Sequence, residues 1–137
     1  MERTFVILKP DAVARGLVGE ILRRIEAKGL RLTAAELRVI DDATAAAHYG
    51  EHAERPFYAN LVSFITRGPV LVALVAGPVG TVAMVRSLIG GTDSRTAAPG
   101  TIRGDLASSM GENLIHGSDS LESAQREINL FFPAHAG

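Results

Sequence analysis

The segment Asn113-Leu114-Ile115-His116-Gly117-Ser118-Asp119-Ser120 is the stretch of this sequence best suited to chemistry. Asn113 to His116 reads as a short strand. Ser118-Asp119-Ser120 reads as a helix start, with Asp119 and Glu122 spaced like a capping box. One histidine therefore stands at a strand end, directly before the amino terminus of a helix. Free backbone N–H groups and the positive end of the helix dipole favour an anion there, which lowers the cost of bringing a phosphoryl group to the imidazole. Glu127, about two turns into the same helix, can reach back to hold the ring or a hydroxyl such as Ser118. Spacing alone leaves two readings open for His116: a catalytic imidazole, or a core or capping histidine.

The common phosphate-cradling turns are missing. No G-x-x-x-x-G-K-[ST] occurs, and no G-x-G-x-x-G follows a strand, so a phosphate site must draw on side-chain cations. His48 and His52 stand four apart, as metal ligands on a helix can, but Gly50 lies between them and the sequence nearby offers no third ligand. The expectation for both is a surface histidine. With no cysteine in the chain, a disulfide framework, a thiolate zinc site and a thiol nucleophile are all excluded.

The elements that must position these residues follow from periodicity. Thr4 to Lys9 predicts a strand buried on both faces, ended by Pro10. Val18, Ile21, Leu22 and Ile25 predict a helix over 18–28 that stops at Gly29. Leu30 to Ile40 alternates as a strand whose phase slips, which predicts a bulge near Ala34 to Glu36. An Ala-rich helix capped by Asp41 or Asp42 and a second helix over 56–66 form an inserted helical hairpin. Val70 to Ala76 is a third buried strand, followed by a helix over about 79–89 that ends at Gly90-Gly91. Thr92 to Gly104 reads as a long ordered loop before the last strand, and the final helix covers about 120–129. The order fits an α+β, ferredoxin-like β-α-β-β-α-β fold: a four-stranded antiparallel sheet with helices on one face.

Length and composition set further bounds. The 137 residues suit one domain spanning 1–137, and 47% hydrophobic with 21% charged residues describes a globular chain. A formal charge of −1 provides no broad positive field for nucleic acid or anionic lipid. The amino-terminal segment is unlike a signal peptide, and the longest apolar run, 70–76, falls far below the roughly 18 residues of a membrane helix. These features predict a cytoplasmic protein with neither membrane nor nucleic-acid partners.

Five blocks, Glu2-Arg3-Thr4-Phe5, Lys9-Pro10-Asp11, Arg55-Pro56-Phe57, Pro99-Gly100-Thr101-Ile102-Arg103-Gly104-Asp105 and the Asn113 to Ser120 segment, together resemble the nucleoside diphosphate kinase family. They stand in the family's order and near its spacings over almost the whole chain. The resemblance implies transfer of a γ-phosphate from a nucleoside triphosphate such as ATP to a nucleoside diphosphate, by a ping-pong route through a phosphohistidine. It makes His116 the nucleophile, with Glu127 and Ser118 orienting it. It assigns Lys9 to the transferring phosphate and ribose, Arg103 to the γ-phosphate, Arg86 and Thr92 to the β-phosphate, and Asn113 to ribose hydroxyls, with Tyr49 steadying the Lys9 region. Phe57 stacks on the base opposite Met110, which implies broad base specificity because every base has a flat face.

By the same resemblance Mg²⁺ arrives on the nucleotide phosphates rather than in a protein metal site, and the chain forms a homo-oligomer, a tetramer or hexamer built from dimers. Taken singly, Lys9 also reads as a strand-end lysine laid along apolar surface, Arg86 as a complement to a helix dipole, and Arg103 as a loop charge. Asp11, Arg55 and Asp119 read as turn, loop anchor and cap. The rival to catalysis is a non-catalytic nucleotide-binding or interaction module on the same scaffold.

Overall fold

The computed structural model describes residues 1–136; Gly137, the last residue of the expected domain, lies outside them. Strand β1 (Glu2–Leu8) leads into a short helix α1 (Pro10–Ala14) and then α2 (Val18–Ala27). Strand β2 (Arg31–Arg38) is followed by α3 (Asp42–His48), a 3-10 turn at Gly50–His52, α4 (Tyr58–Thr66) and β3 (Val70–Gly77). The chain continues through α5 (Thr81–Ile89), α6 (Ile102–Leu106), β4 (Ile115–Gly117) and α7 (Leu121–Phe131) to a last 3-10 turn at Pro133–His135. The sheet order is β2-β3-β1-β4 with every pair antiparallel, which is the ferredoxin-like arrangement.

Helices cover both faces of this sheet, not one face as the sequence suggested. Successive side chains of β1 point to opposite sides. Val6 and Leu8 pack with Ile21, Ile25, Val85 and Ile89 of α2 and α5. Phe5 and Ile7 pack with Ala45, Ile65, Ile128 and Phe131 of α3, α4 and α7. The inserted hairpin and the last helix thus supply a second layer that a two-helix plan lacks, which explains why β1 and β3 are apolar on both faces.

Local signals account for most element ends. Asp41 caps α3 by accepting from the Thr44 N–H at 2.7 Å. Gly29 ends the α2 turn with φ 92°, a conformation that favours glycine. Ser120, not Asp119, caps α7, its hydroxyl accepting from the Ser123 N–H at 3.0 Å. The bulge in β2 falls between Leu32 and Ala34, just before the expected position. Helices α1 and α6 have no counterpart in the sequence reading, because each is a five-residue helix too short to show a period. No helix among the described residues is long and apolar enough to cross a membrane.

One close approach fixes the path of the loop before β4. A Cβ at Gly104 would come within 2.6 Å of the Ala98 carbonyl carbon, and backbone cannot swing aside as a side-chain tip can. Gly104→Ala is therefore expected to destabilise the fold by about 2 kcal/mol or more, read as a lower urea midpoint. An unchanged midpoint would show that the loop yields freely.

Candidate active site

His116 occupies the middle of β4, opposite Ile7 of β1, so the register of the sheet fixes its height and face. Its neighbours Ile115 and Gly117 point the other way. A Cβ on Gly117 would meet Ile89 Cδ1 at 2.6 Å, so glycine there lets α5 pack on this face without displacing the Ile89 side-chain tip. The His116 side chain therefore projects toward α7. There the buried stripe Ala124, Glu127, Ile128 and Phe131 carries one carboxylate among apolar residues.

That carboxylate organises the site. His116 Nε2–H donates to Glu127 Oε1 at 2.8 Å, and the Ser118 hydroxyl donates to the same oxygen at 2.7 Å. A carboxylate only accepts, so this bond assigns the ring proton to Nε2 and leaves the lone pair on Nδ1. Burial alone would raise the Glu127 pKa. Contacts with His116, Ser118 and His48 outweigh burial and hold the carboxyl below its ordinary value, so it stays an anion.

A cavity of about 210 Å³ opens beside the ring, with His116, Glu127, Arg86, Tyr49, His48 and Arg126 among its walls. Asp119 and Ser123, at the start of α7, also line it, so the helix amino terminus faces the cavity as the sequence suggested. Arg86 is anchored by donating to the Gly117 carbonyl at 3.2 Å. Burial, reinforced by Glu127, pushes the Tyr49 hydroxyl up to about 12.

A second group of expected residues is linked by hydrogen bonds outside the lining of this cavity. Lys9 Nζ donates to Asn113 Oδ1 at 2.8 Å, and Asn113 Nδ2 donates to the Thr92 carbonyl at 3.1 Å. Arg103 donates to the backbone carbonyls of Asn113, Gly90 and Ile115, tying the 90–104 loop to β4. Burial, followed by the charge of Arg103, lowers Lys9 to about 8; Asp11 offsets part of this. Burial, followed by the charge of Arg86, lowers Arg103 to about 10. Buried cations depressed by burial and by a neighbouring positive charge gain from an added anion.

The turn into β4 is strained. Leu114 is buried with φ 73°, the one non-glycine positive φ among the described residues, and the Ile115 N–H donates to the Asn113 carbonyl at 2.8 Å. This is the geometry of a γ-turn, and such a residue costs about 1–3 kcal/mol. Two bonds hold it. Its N–H donates to Asp11 Oδ2 at 3.1 Å, and its carbonyl accepts from the Lys9 N–H at 2.8 Å.

The structure thus gathers His116, Glu127, Ser118, Arg86 and Tyr49 around one cavity, and links Lys9, Asn113, Thr92 and Arg103 beside it. Phe57 and Met110 lie apart on the surface, 46% and 56% exposed, and neither lines that cavity; the ring of Phe57 stands 5.7 Å from that of His52. His48, expected at the surface, is instead a core residue. It is 5% exposed, and its ring stands perpendicular to that of His116 at 4.8 Å. Burial, then the neighbouring His116, pushes it down to about 3. Its spacing of three from Ala45, on the buried side of α3, was the available signal.

Fold and site together define a ferredoxin-like transferase that handles nucleotides. The family model described as nucleoside diphosphate kinase matches residues 2–136. A nucleoside diphosphate kinase of Parafrankia sp. (strain EAN1pec) is 60% identical over 132 residues, 96% of each chain, and one from Thermus thermophilus is 58% identical with the same coverage. The solved structure of a halophilic nucleoside diphosphate kinase from Halobacterium salinarum in complex with CDP superposes with a TM-score of 0.92 at 50% identity, covering 96% of this chain and 87% of that one. The chain belongs to the nucleoside diphosphate kinase family.

The support of the strained turn can be tested directly. Asp11→Ala removes the acceptor for the Leu114 N–H and is expected to cost about 1–3 kcal/mol of stability, measured by denaturant unfolding. Asp11→Asn, which keeps an acceptor oxygen, is expected to cost less. Equal stability of all three proteins would show that the turn stands without Asp11.

Proposed function

We propose that this enzyme moves the γ-phosphate of a nucleoside triphosphate to a nucleoside diphosphate in two half-reactions through His116. In the first, the Nδ1 lone pair attacks the γ-phosphorus, an N–P bond forms, and the bond to the β-phosphate oxygen breaks with its electrons leaving on the diphosphate. In the second, a diphosphate oxygen attacks the same phosphorus and the N–P bond breaks. One site thus serves two nucleotides in turn. The observation that carries this reading is the Glu127 bond to Nε2, which frees Nδ1 for attack.

Positive charge on the developing phosphoimidazole is shared with the buried Glu127 carboxylate. Arg86, Arg103 and Lys9 are the cations for the moving phosphates, Thr92 and Asn113 complete the phosphate and ribose contacts, and Tyr49 steadies the Lys9 region. Phe57 and Met110, both exposed, hold the base by its faces. A relative crystallised with CDP supports a nucleoside diphosphate as one visitor. Mg²⁺ travels on the nucleotide, whose phosphates offer the oxygen ligands it prefers while it keeps its waters.

The whole chain works in this reading as one catalytic domain, 1–137, in the cytoplasm, and a cysteine-free sequence suits a reducing compartment. It assembles from dimers into a tetramer or hexamer, supported by β2, which forms one edge of the sheet, carries exposed Leu37 and leads to exposed Val39. Neither membrane nor nucleic acid is a partner.

With γ-labelled ATP and Mg²⁺, His116 is expected to gain an acid-labile, base-stable phosphate that a second nucleoside diphosphate removes. His116→Ala is expected to bind nucleotide without labelling; absence of label on the native protein would favour the non-catalytic binding module. A separate test concerns charge. Lys9 loses its proton as pH rises through about 8, so diphosphate affinity is expected to weaken about tenfold between pH 7 and pH 9, below the value of about 10 at which Arg103 titrates. Lys9→Ala is expected to bind weakly without that step, and a persisting step would exclude Lys9 as its source.

A further inference from the structure

We propose that His48, His116 and Glu127 form a binding site for a borderline divalent transition ion such as Zn²⁺, and that its occupation stops His116 from acting as a nucleophile. Two imidazoles and a carboxylate place one donor atom each within 4.8 Å of one another, and among the described residues this is the one such trio. It joins α3, β4 and α7, so no sequence spacing reveals it. His48 is nine-tenths buried, lines the cavity that His116 lines, and has an Nδ1 without a hydrogen-bond partner among the described residues. Burying a polar nitrogen unpaired costs about 1–3 kcal/mol, so this ring stands ready for a ligand.

The donor set selects the ion. Two nitrogens and one carboxylate oxygen suit Zn²⁺, Co²⁺ or Cu²⁺, whereas Mg²⁺ favours oxygen alone. It is also a known kind of three-ligand zinc set, with the fourth position left open. Here the open position faces the cavity, where water can enter. His116 Nε2 and Glu127 Oε1 already lie 2.8 Å apart. Tetrahedral bonds of about 2.0 Å separate neighbouring ligands by roughly 3.3 Å, so His48 must close by about 1–1.5 Å. Arg86 also lines the cavity, and Arg126 lies 3.6 Å from Glu127 Oε2. Both oppose the ion, so the site suits reversible binding rather than permanent tenure.

Inhibition follows from the proton. An ion on Nε2 replaces the proton held against Glu127, and the neutral ring then carries its proton on Nδ1. That ring has the same number of protons as before but no lone pair facing the phosphate. Conversely, a phosphoryl group on Nδ1 keeps the proton on Nε2 and excludes the ion. The binding claim stands by itself; the inhibition and exclusion claims rest on the phosphohistidine reading.

Co²⁺, which absorbs visible light when four-coordinate, is the probe. Titration of the metal-free full chain is expected to give the band of one tetrahedral ion per chain, displaced by Zn²⁺ and unaffected by Mg²⁺. His48→Phe and Glu127→Gln are each expected to weaken binding at least tenfold, or about 1.4 kcal/mol, with the circular dichroism unchanged. Should His48→Phe misfold, His48→Gln serves instead. No binding below about 1 mM Co²⁺, or equal binding by the His48 variant, would overturn the site. Protein phosphorylated by ATP and Mg²⁺, then freed of nucleotide, is expected to show no band; an undiminished band would overturn the exclusion. Failure to phosphorylate at all would count against the phosphohistidine reading, while the Co²⁺ titration of the native chain would still decide the metal site.

Discussion

The bond from His116 Nε2 to the buried carboxylate of Glu127 is the constraint on which the site depends. A neutral imidazole has one donor and one acceptor nitrogen, and the neighbour of one decides the role of the other. Because the neighbour here can only accept, the proton sits on Nε2 and the lone pair is left on Nδ1. Ser118 donates to the same oxygen, so Glu127 is held between two donors and loses both bonds if it rotates away. The charge costs desolvation and persists because donors surround it.

Much of the remaining architecture keeps that bond in place. The sheet register sets His116 opposite Ile7, and the absence of a side chain at Gly117 lets α5 close on the other face. Asp11 and the Lys9 backbone brace the strained Leu114 turn that starts β4. Arg103, donating to three carbonyls on both sides of the loop, anchors backbone and supplies charge with one side chain. Lys9 and Arg103 are both buried, and the Arg103 charge weakens the hold of Lys9 on its proton, a cost that a bound anion relieves. Stability and ligand readiness therefore draw on the same groups.

Much of this is legible in the sequence, and the failures have physical causes. The strand-to-helix step around His116, the reach of Glu127 and the order of the sheet elements follow from short-range spacing, because capping and helical periodicity are local properties. Ser120 takes the cap from Asp119, a shift of one position in a run of three capable residues. The burial of His48 escapes a sequence reading because it depends on what packs against α3, and α7 arrives from the far end of the chain. Helices α1 and α6 escape it because five residues carry no period.

The sequence by itself determined the alternation of strands and helices, the lone carboxylate on the apolar stripe of α7 and the identity of the imidazole beside it. Tertiary structure alone decided that both faces of the sheet are covered, that His48 stands edge-on to His116, and that Lys9 reaches Asn113 rather than lying along the surface. The division has a simple origin. Backbone preferences act over a few residues, whereas burial and charge coupling exist only once segments distant in the chain are brought together.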